Sequence, residues 1–184
     1  MKDGAGPVSG LYRVEQSLND LKDVNVRHIR PGYFFYNFYG SISMIKAMNV
    51  FGGNSAKPAD KMILSDTSDI AGAVAEELLN LSFTGNSVRY IASDERTPVD
   101  VARALGTAIG KPELPYVEFS DEDTLNALKG AGLPEEIAKN YTEMGHGMRT
   151  GKMTEDYWNN RPQEFGKVKL EDFATQFAGA YNAS

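Results

Sequence analysis

The sequence contains no cysteine, and that single absence excludes disulfides, thiolate metal sites and a cysteine nucleophile together. Histidine is nearly as scarce. The two present, His28 and His146, stand far apart in the chain and without thiolates beside them predict no transition-metal site. Basic runs are missing too. Lys and Arg number 19 against 25 Asp and Glu, a formal net charge of -6, whereas a general nucleic-acid binder needs a basic face to displace phosphate counterions. No stretch reaches the apolar length of a membrane span, and the opening Met1-Lys2-Asp3-Gly4-Ala5-Gly6 lacks the apolar segment of a signal peptide. The expectation is a soluble, cytoplasmic protein with no nucleic-acid and no membrane partner.

Several chemical motifs are also absent. There is no Gly-x-Ser-x-Gly elbow for a hydrolase and no phosphate-binding Gly-Lys-Ser/Thr. Gly4-Ala5-Gly6 followed by Gly10 fails as a dinucleotide loop. Ser9 stands where the third glycine is needed, no strand precedes Gly4, and no acidic residue follows a second strand at the required distance.

What is present suits one domain. The 184 residues are enough for a real core, and 41% hydrophobic with 24% charged residues is an ordinary globular balance. The chain is organised around Val26 to Tyr39. A β-branched run at Val24, Val26 and Ile29 stops at Arg30-Pro31-Gly32, and six of the next seven residues are aromatic. Pro31 removes a ladder donor and Gly32 permits a turn closed to other residues, so the strand ends here and delivers its rings at its C-terminal edge. In α/β sheets that edge is where ligands sit. Tyr33, Phe34, Phe35, Tyr36, Phe38 and Tyr39 either fill a core or divide, the first few lining a flat-ligand pocket and the later ones packing.

The remaining elements follow from periodicity. Val8, Leu11, Val14, Leu18 and Leu21 predict an amphipathic helix feeding the central strand. That strand, if parallel, needs neighbours on both sides. Ile42, Ile45 and Met48 predict a helix-like stretch that breaks at Gly52-Gly53-Asn54, and Met62-Ile63-Leu64 a small strand within an extended loop. Asp66-Thr67-Ser68-Asp69 offers N-caps for a helix from Ile70 to about Leu81. Ser87–Ala92 reads as a strand. Thr97-Pro98-Val99-Asp100 starts a helix that buries Val101, Ala102, Leu105, Ala108 and Ile109 and ends at Gly110. Tyr116–Phe119 reads as a third strand, and Ser120 caps a helix whose first turn holds Asp121, Glu122 and Asp123, placed there by the helix dipole rather than by a cation. Ile137, Tyr141, Met144 and Met148 share a helix face in which Gly145 and Gly147 imply close packing or a mobile edge. Leu170, Phe173, Ala174, Phe177, Ala178 and Tyr181 form a closing clasp. The order is α/β with a helical C-terminal part.

The run His28-Ile29-Arg30-Pro31-Gly32-Tyr33-Phe34 with Asn37, the helix end Glu15-Gln16-Ser17-Leu18, and Ser68-Asp69-Ile70-Ala71-Gly72-Ala73-Val74 resemble the C-terminal part of the NmrA-like family. These are atypical short-chain dehydrogenase/reductases that bind NAD(P). The spacing continues through Thr97 to Gly110, Glu118 to Glu122, and Gly132-Leu133-Pro134. The resemblance implies one truncated domain over 1–184. Residues 1–51 and about 66–92 are a remnant of a Rossmann-type parallel sheet, and about 93–184 are a small, mostly helical substrate lobe. The N-terminal dinucleotide-binding half, with its glycine-rich loop and first five strands, is expected before residue 1.

The family picture places Val24 to Ile29 as the sixth strand and brings the exit toward the nicotinamide. Arg30, Pro31, Gly32, Tyr33, Phe34 and Asn37 are then expected at the cofactor, with Asn37 holding the turn and Asp69 capping a helix. Tyr12, Tyr36, Met144, Met148 and Trp158 are expected in the substrate pocket. Where reductases carry a catalytic lysine stands Leu11, flanked by Tyr12 and Arg13, so Tyr12 is only a weak proton-donor candidate. The resemblance implies NAD(P) for the whole family architecture, though not tight binding by this chain alone. It leaves three functions open: the nicotinamide-side wall and ligand lobe of an NAD(P)-binding protein, a reductase of small aromatic or quinone-like substrates when the full architecture is present, and a non-enzymatic redox-sensing or protein-interaction module. In the last, a protein partner or a second copy is expected on the exposed Rossmann face.

Overall fold

The computed structural model describes residues 3–184. In chain order the elements are α1 (Ser9–Asn19), β1 (Val26–Pro31), β2 (Tyr33–Phe34), a 3-10 segment (Phe35–Ser41), α2 (Ile42–Met48), β3 (Phe51–Gly53), β4 (Met62–Ser65) and α3 (Thr67–Asn80). They continue with β5 (Asn86–Ile91), β6 (Asp94–Arg96), α4 (Pro98–Ala108), β7 (Tyr116–Glu118), α5 (Asp121–Gly130), α6 (Glu135–Arg149), α7 (Glu155–Asn159) and α8 (Leu170–Ala183). Among the described residues no helix is long and apolar enough to cross a membrane.

The strands form three small sheets. β1 pairs parallel with β5, β4 lies between parallel β2 and antiparallel β6, and β3 pairs parallel with β7. Gly32 is the joint between the first two. Pro31 is the last residue matched to Ile91 of β5, and Tyr33 the first matched to Leu64 of β4. A Cβ at Gly32 would lie 2.4 Å from the Ile63 carbonyl oxygen, so only glycine lets β1 hand the chain to β4 at this separation.

The aromatic segment follows neither reading as a block, because buried and exposed rings alternate along it. Phe35 and Phe38 are buried; Tyr36 is 69% exposed and Phe34 sits at the surface. The buried rings meet α8, whose Leu170, Phe173, Ala174 and Phe177 are buried as its periodicity predicts. Phe35 stacks on Phe173 at 5.3 Å and Tyr39 on Phe177 at 5.9 Å. Val101 and Leu105 of α4 close the same core. Burial of each such side chain is worth about 1.5–3 kcal/mol, so α8 is held by tertiary packing rather than by helix propensity.

Start and stop signals act locally where expected. Asp66 caps α3 through the Ser68 amide, Thr97 and Asp100 form a capping box on α4, and Ser120 caps α5 through the Asp123 amide. Gly110 follows α4 with φ 76°. Three strands escape the periodicity. β2 is too short to show alternation. β3 contains Gly52 and Gly53, which read as a break, yet at Gly52 the Val117 carbonyl oxygen of β7 lies 2.5 Å from where a Cβ would be, so the glycine is what permits the pairing. β6 is Asp-Glu-Arg, a polar strand stabilised by the Arg96 pair with Asp94 at 2.9 Å.

α1 forms where the spacing puts it, but its apolar face is uncovered. Leu11 is 61%, Val14 52% and Leu18 38% exposed. Among the described residues β1 pairs on one side only. α6 decides between the two readings of its glycines in favour of close packing. A Cβ at Gly145 would lie 2.0 Å from Asn54 Oδ1, and one at Gly147 2.3 Å from the Gly4 carbonyl oxygen. Ala normally stabilises an exposed helix interior relative to Gly. Here the sign reverses, and Gly145→Ala is expected to lose about 1–3 kcal/mol from overpacking, read by urea unfolding; a more stable variant would contradict this packing.

Candidate functional site

The site is built at the C-terminal end of β1. Arg30, the last cation of that strand, makes four side-chain hydrogen bonds. Its Nε and Nη2 donate to the Glu15 carboxylate of α1 at 3.0 and 2.6 Å, and its Nη1 donates to Tyr90 Oη of β5 and Asp156 of α7 at 3.0 Å each. Tyr90 Oη also donates to Asp156. The Arg30 hydrogen bond holds Glu15 below the usual carboxylate range despite partial burial, and the Glu15 contact in turn raises the guanidinium. Arg30 is therefore a cross-tie among α1, β1, β5 and α7, with four of its N–H donors spent on protein.

One residue further on, the Gly32 amide donates to the Ile91 carbonyl at 3.1 Å and to Ser65 Oγ at 2.9 Å. Ser65 is fully buried and its Oγ donates a hydrogen bond to the Ile91 carbonyl at 2.8 Å. This hydroxyl joins β1, β4 and β5 and sets where Tyr33 leaves the sheet.

Tyr33 and Asn37 line a cavity of 320 Å³ together with Phe38, Met44, Phe51 and Leu128. Tyr116 also lines it, but Tyr116 Oη donates to the Ala56 carbonyl at 2.6 Å. Burial pushes both tyrosines up to about 12. Tyr33 Oη has no hydrogen-bond partner among the described residues, which distinguishes it from Tyr116 and Tyr90.

A second, larger cavity of 720 Å³ lies between α3, β5 and the segment 160–168. Its Arg89, Glu76 and Asp69 are committed to protein partners. Arg89 donates to Glu77 at 2.9 Å and Glu76 at 2.7 Å, while Asp69 accepts from Ser93 Oγ at 2.7 Å, the Lys167 amide at 2.9 Å and the Val168 amide at 3.1 Å. Asp69 was expected to cap a helix. Asp66 takes that role, and Asp69, one turn into α3, fastens the segment leading to α8 instead.

The other expected residues lie elsewhere. Pro31 and Gly32 belong to the strand exit without lining the smaller cavity, Phe34 lies beyond them at the surface, and Arg30 is tied as above. Of the expected pocket set Tyr12, Tyr36, Met144, Met148 and Trp158, none lines either cavity. Tyr12 lies half-buried on α1, Tyr36 packs edge-on to Tyr39 at 5.1 Å, Met144 lies against Gly6, and Trp158 stands edge-on to Tyr157 at 5.0 Å. Gly6 presses on the Asn140 carbonyl, where a Cβ would come within 2.0 Å, so Gly4-Ala5-Gly6 is a packing surface for α6 and not a phosphate cradle. His28 Nε2 is hydrogen-bonded to Asn19 Oδ1 at 2.8 Å. Among the described residues no group of three or more His, Asp or Glu side chains converges as a metal site would require.

Met44, Phe51, Tyr116 and Leu128, which complete the smaller cavity, carried no functional signal in the sequence. They come from four separate elements and meet only through the β3–β7 pairing and the α2 and α5 placements.

No protein-family model matches the chain, and no curated protein sequence does. Solved structures do. An NADPH-dependent quinone oxidoreductase from Escherichia coli is similar with a TM-score of 0.73 at 21% identity over 94% of this chain and 62% of its own. A structure of such an oxidoreductase complexed with NADPH, also from Escherichia coli, gives 0.73 at 20% identity over 94% and 60%. A nucleoside-diphosphate-sugar epimerase from Staphylococcus aureus gives 0.69 at 12% identity over 95% and 61%. The fold is thus of the kind found in these oxidoreductase and epimerase structures, and the chain spans about three fifths of their length.

Glu15 and Arg30 give the site a pH signature. Because the folded-state pKa of Glu15 lies below its ordinary 4.5, its stabilisation is complete above that value and is lost as pH falls through the folded value. Glu15→Gln is expected to cost about 1 kcal/mol at neutral pH and to flatten the acid limb of the stability profile, both read by urea unfolding at stepped pH. An unchanged acid limb would remove Glu15 from the cross-tie.

Proposed function

We propose that the chain forms the nicotinamide-side wall and ligand lobe of an NAD(P)-binding oxidoreductase of the NmrA-like type. The observation that carries this reading is the parallel strand β1 ending at Gly32, with Tyr33 and Asn37 turned from its C-terminal end onto an aromatic cavity of 320 Å³. A ligand crevice outside the carboxyl ends of parallel strands is the general arrangement of such sheets. The fold likeness to an oxidoreductase solved with NADPH supports the same direction.

The residues present fit one end of the cofactor. The smaller cavity has aromatic walls and no charged side chain in its lining, which suits a neutral nicotinamide ring. Tyr33 and Asn37 would hold that ring, and Gly32 and Ser65 would fix their approach. For the diphosphate the described residues offer no counterpart, since Gly4-Ala5-Gly6 packs on α6 and Arg30 is occupied by Glu15 and Asp156. When bound, a reduced nicotinamide supplies a hydride; this chain's part is to orient the ring and exclude water around it. With a dinucleotide-binding half, the reading extends to reduction of small aromatic or quinone-like substrates.

A second reading, a redox-sensing or protein-interaction module, is favoured by the uncovered apolar face of α1 and the unpaired side of β1. Leu11, where a reductase of the family has lysine, lies on that exposed face and provides no proton relay.

The test uses the chain as it stands. Reduced nicotinamide mononucleotide is expected to bind as well as NADPH in a fluorescence titration, adenosine 2',5'-bisphosphate is expected not to compete, and Asn37→Ala is expected to weaken both nicotinamide ligands about fivefold. Competition by the adenosine bisphosphate, or failure of both nicotinamide ligands to bind, would overturn the ligand-lobe reading.

A further inference from the structure

Gly72, inside α3, has no packing reason to be glycine. At Gly32, Gly52, Gly145 and Gly147 other atoms already occupy the place of a Cβ, whereas a Cβ at Gly72 would meet nothing within 4 Å. Glycine weakens a helix interior relative to alanine, and what this one leaves open is a wall of the 720 Å³ cavity. That cavity shares no lining residue with the one at the β1 exit.

Opposite Gly72 the cavity meets the outer edge of β5. The Val26 amide donates to the Gly85 carbonyl and the Gly32 amide to the Ile91 carbonyl, so the odd-numbered residues of β5 turn their backbone groups toward β1. Tyr90 turns its own the other way. Its hydroxyl is held by Arg30 and Asp156 on the α1 side, so it lines the cavity through its backbone. Among the described residues β1 is the only strand paired with β5. One outward rung is already made, from the Gly166 amide to the Ala92 carbonyl at 2.8 Å. The Tyr90 N–H and C=O come next along the edge and have no backbone partner among the described residues. Ala73, Ile91, Phe165 and Val168 supply apolar walls. With Arg89, Glu76 and Asp69 committed, the charged lining groups left are Glu164 and Lys167, whose exposed side chains hold no hydrogen bond or ion pair among the described residues.

We propose that this cavity binds a short zwitterionic peptide of about three residues, extended along β5, its backbone paired with Tyr90, its ammonium at Glu164 and its carboxylate at Lys167. The extended backbone follows from the edge, because a peptide offers a donor and an acceptor at the spacing of a strand. The two termini follow from the two uncommitted charges of opposite sign; a dianionic phosphate would answer Lys167 and be repelled by Glu164. The length follows from the three-residue interval between Glu164 and Lys167, at most about 11 Å of chain, which the ends of a tripeptide match. The volume is that of a small-molecule pocket rather than of a surface for a folded partner.

The probe is valyl-alanyl-valine with free termini, titrated at low salt into the ¹⁵N-labelled chain, with affinity read from the amide shifts. Shifts are expected at Gly72, Tyr90, Gly166 and Lys167. The same peptide acetylated and amidated is expected to bind about fivefold more weakly, and the peptide methylated at both amide nitrogens about fivefold more weakly as well. Glu164→Gln and Lys167→Gln, both at exposed side chains, are each expected to weaken the free peptide about threefold and to leave the blocked one unchanged. Gly72→Leu suits a helix better than glycine and fills the cavity, so it is expected to keep the circular-dichroism spectrum and lose binding. Absence of shifts, shifts confined to other residues, undiminished binding by folded Gly72→Leu, or free-peptide affinity unmoved by both charge variants would overturn the proposal. Equal affinity for the free and blocked peptides would overturn it in favour of an internal segment of a partner polypeptide. No nicotinamide ligand enters the experiment, so its failure and the failure of the ligand-lobe reading are read apart.

Discussion

The Gly32 amide shares its hydrogen between the Ile91 carbonyl and the buried hydroxyl of Ser65, and the position of every element around the site depends on that junction. β1 must leave β5 and join β4 within one residue. That is sterically open only to glycine, because the Ile63 carbonyl occupies the space of a side chain. A buried serine without partners would cost free energy; here it accepts one hydrogen bond and donates another, so the polar group specifies the joint instead of weakening it. Downstream, Tyr33 is delivered to the cavity, Phe35 and Phe38 to the core, and α8 to the rings that cover it.

Charge plays a complementary part. Arg30, expected at a ligand, and Asp69, expected at a cap, are both spent on fastening elements together, as are Arg89 and Glu95. Burial alone would raise Glu95, but the Arg161 fork and the Tyr157 hydroxyl hold it below the usual carboxylate range. The ionic groups thus build the frame around β1 and β5. What remains for a nicotinamide ring is the uncharged cavity.

Much of this frame is legible in the sequence. Helix periodicity and the cap residues Asp66, Thr97 and Ser120 mark their helices because those signals are local. Pro31-Gly32 marks the strand exit for the same reason. The losses have physical causes too. Gly52-Gly53 reads as a break because a glycine demanded by close strand approach looks, in one dimension, like a glycine demanded by a turn. β6 is polar, so alternation cannot reveal it. Tyr12, Tyr36, Met144, Met148 and Trp158, expected in a substrate pocket, line neither cavity, because side chains that share a cavity are chosen by tertiary packing, which brings Met44, Phe51, Tyr116 and Leu128 to Tyr33. Asp69 shows the same limit: its carboxylate serves residues far along the chain that no spacing rule connects to it.

The central claim is that ligands approach at the β1 exit. The most direct measurement is an amide chemical-shift map of the ¹⁵N-labelled chain with reduced nicotinamide mononucleotide added. The account predicts that the perturbed amides cluster at Gly32, Tyr33, Asn37, Gly52 and Gly53. Perturbations confined to residues of the larger cavity, such as Gly72, Gly166 and Lys167, would contradict it.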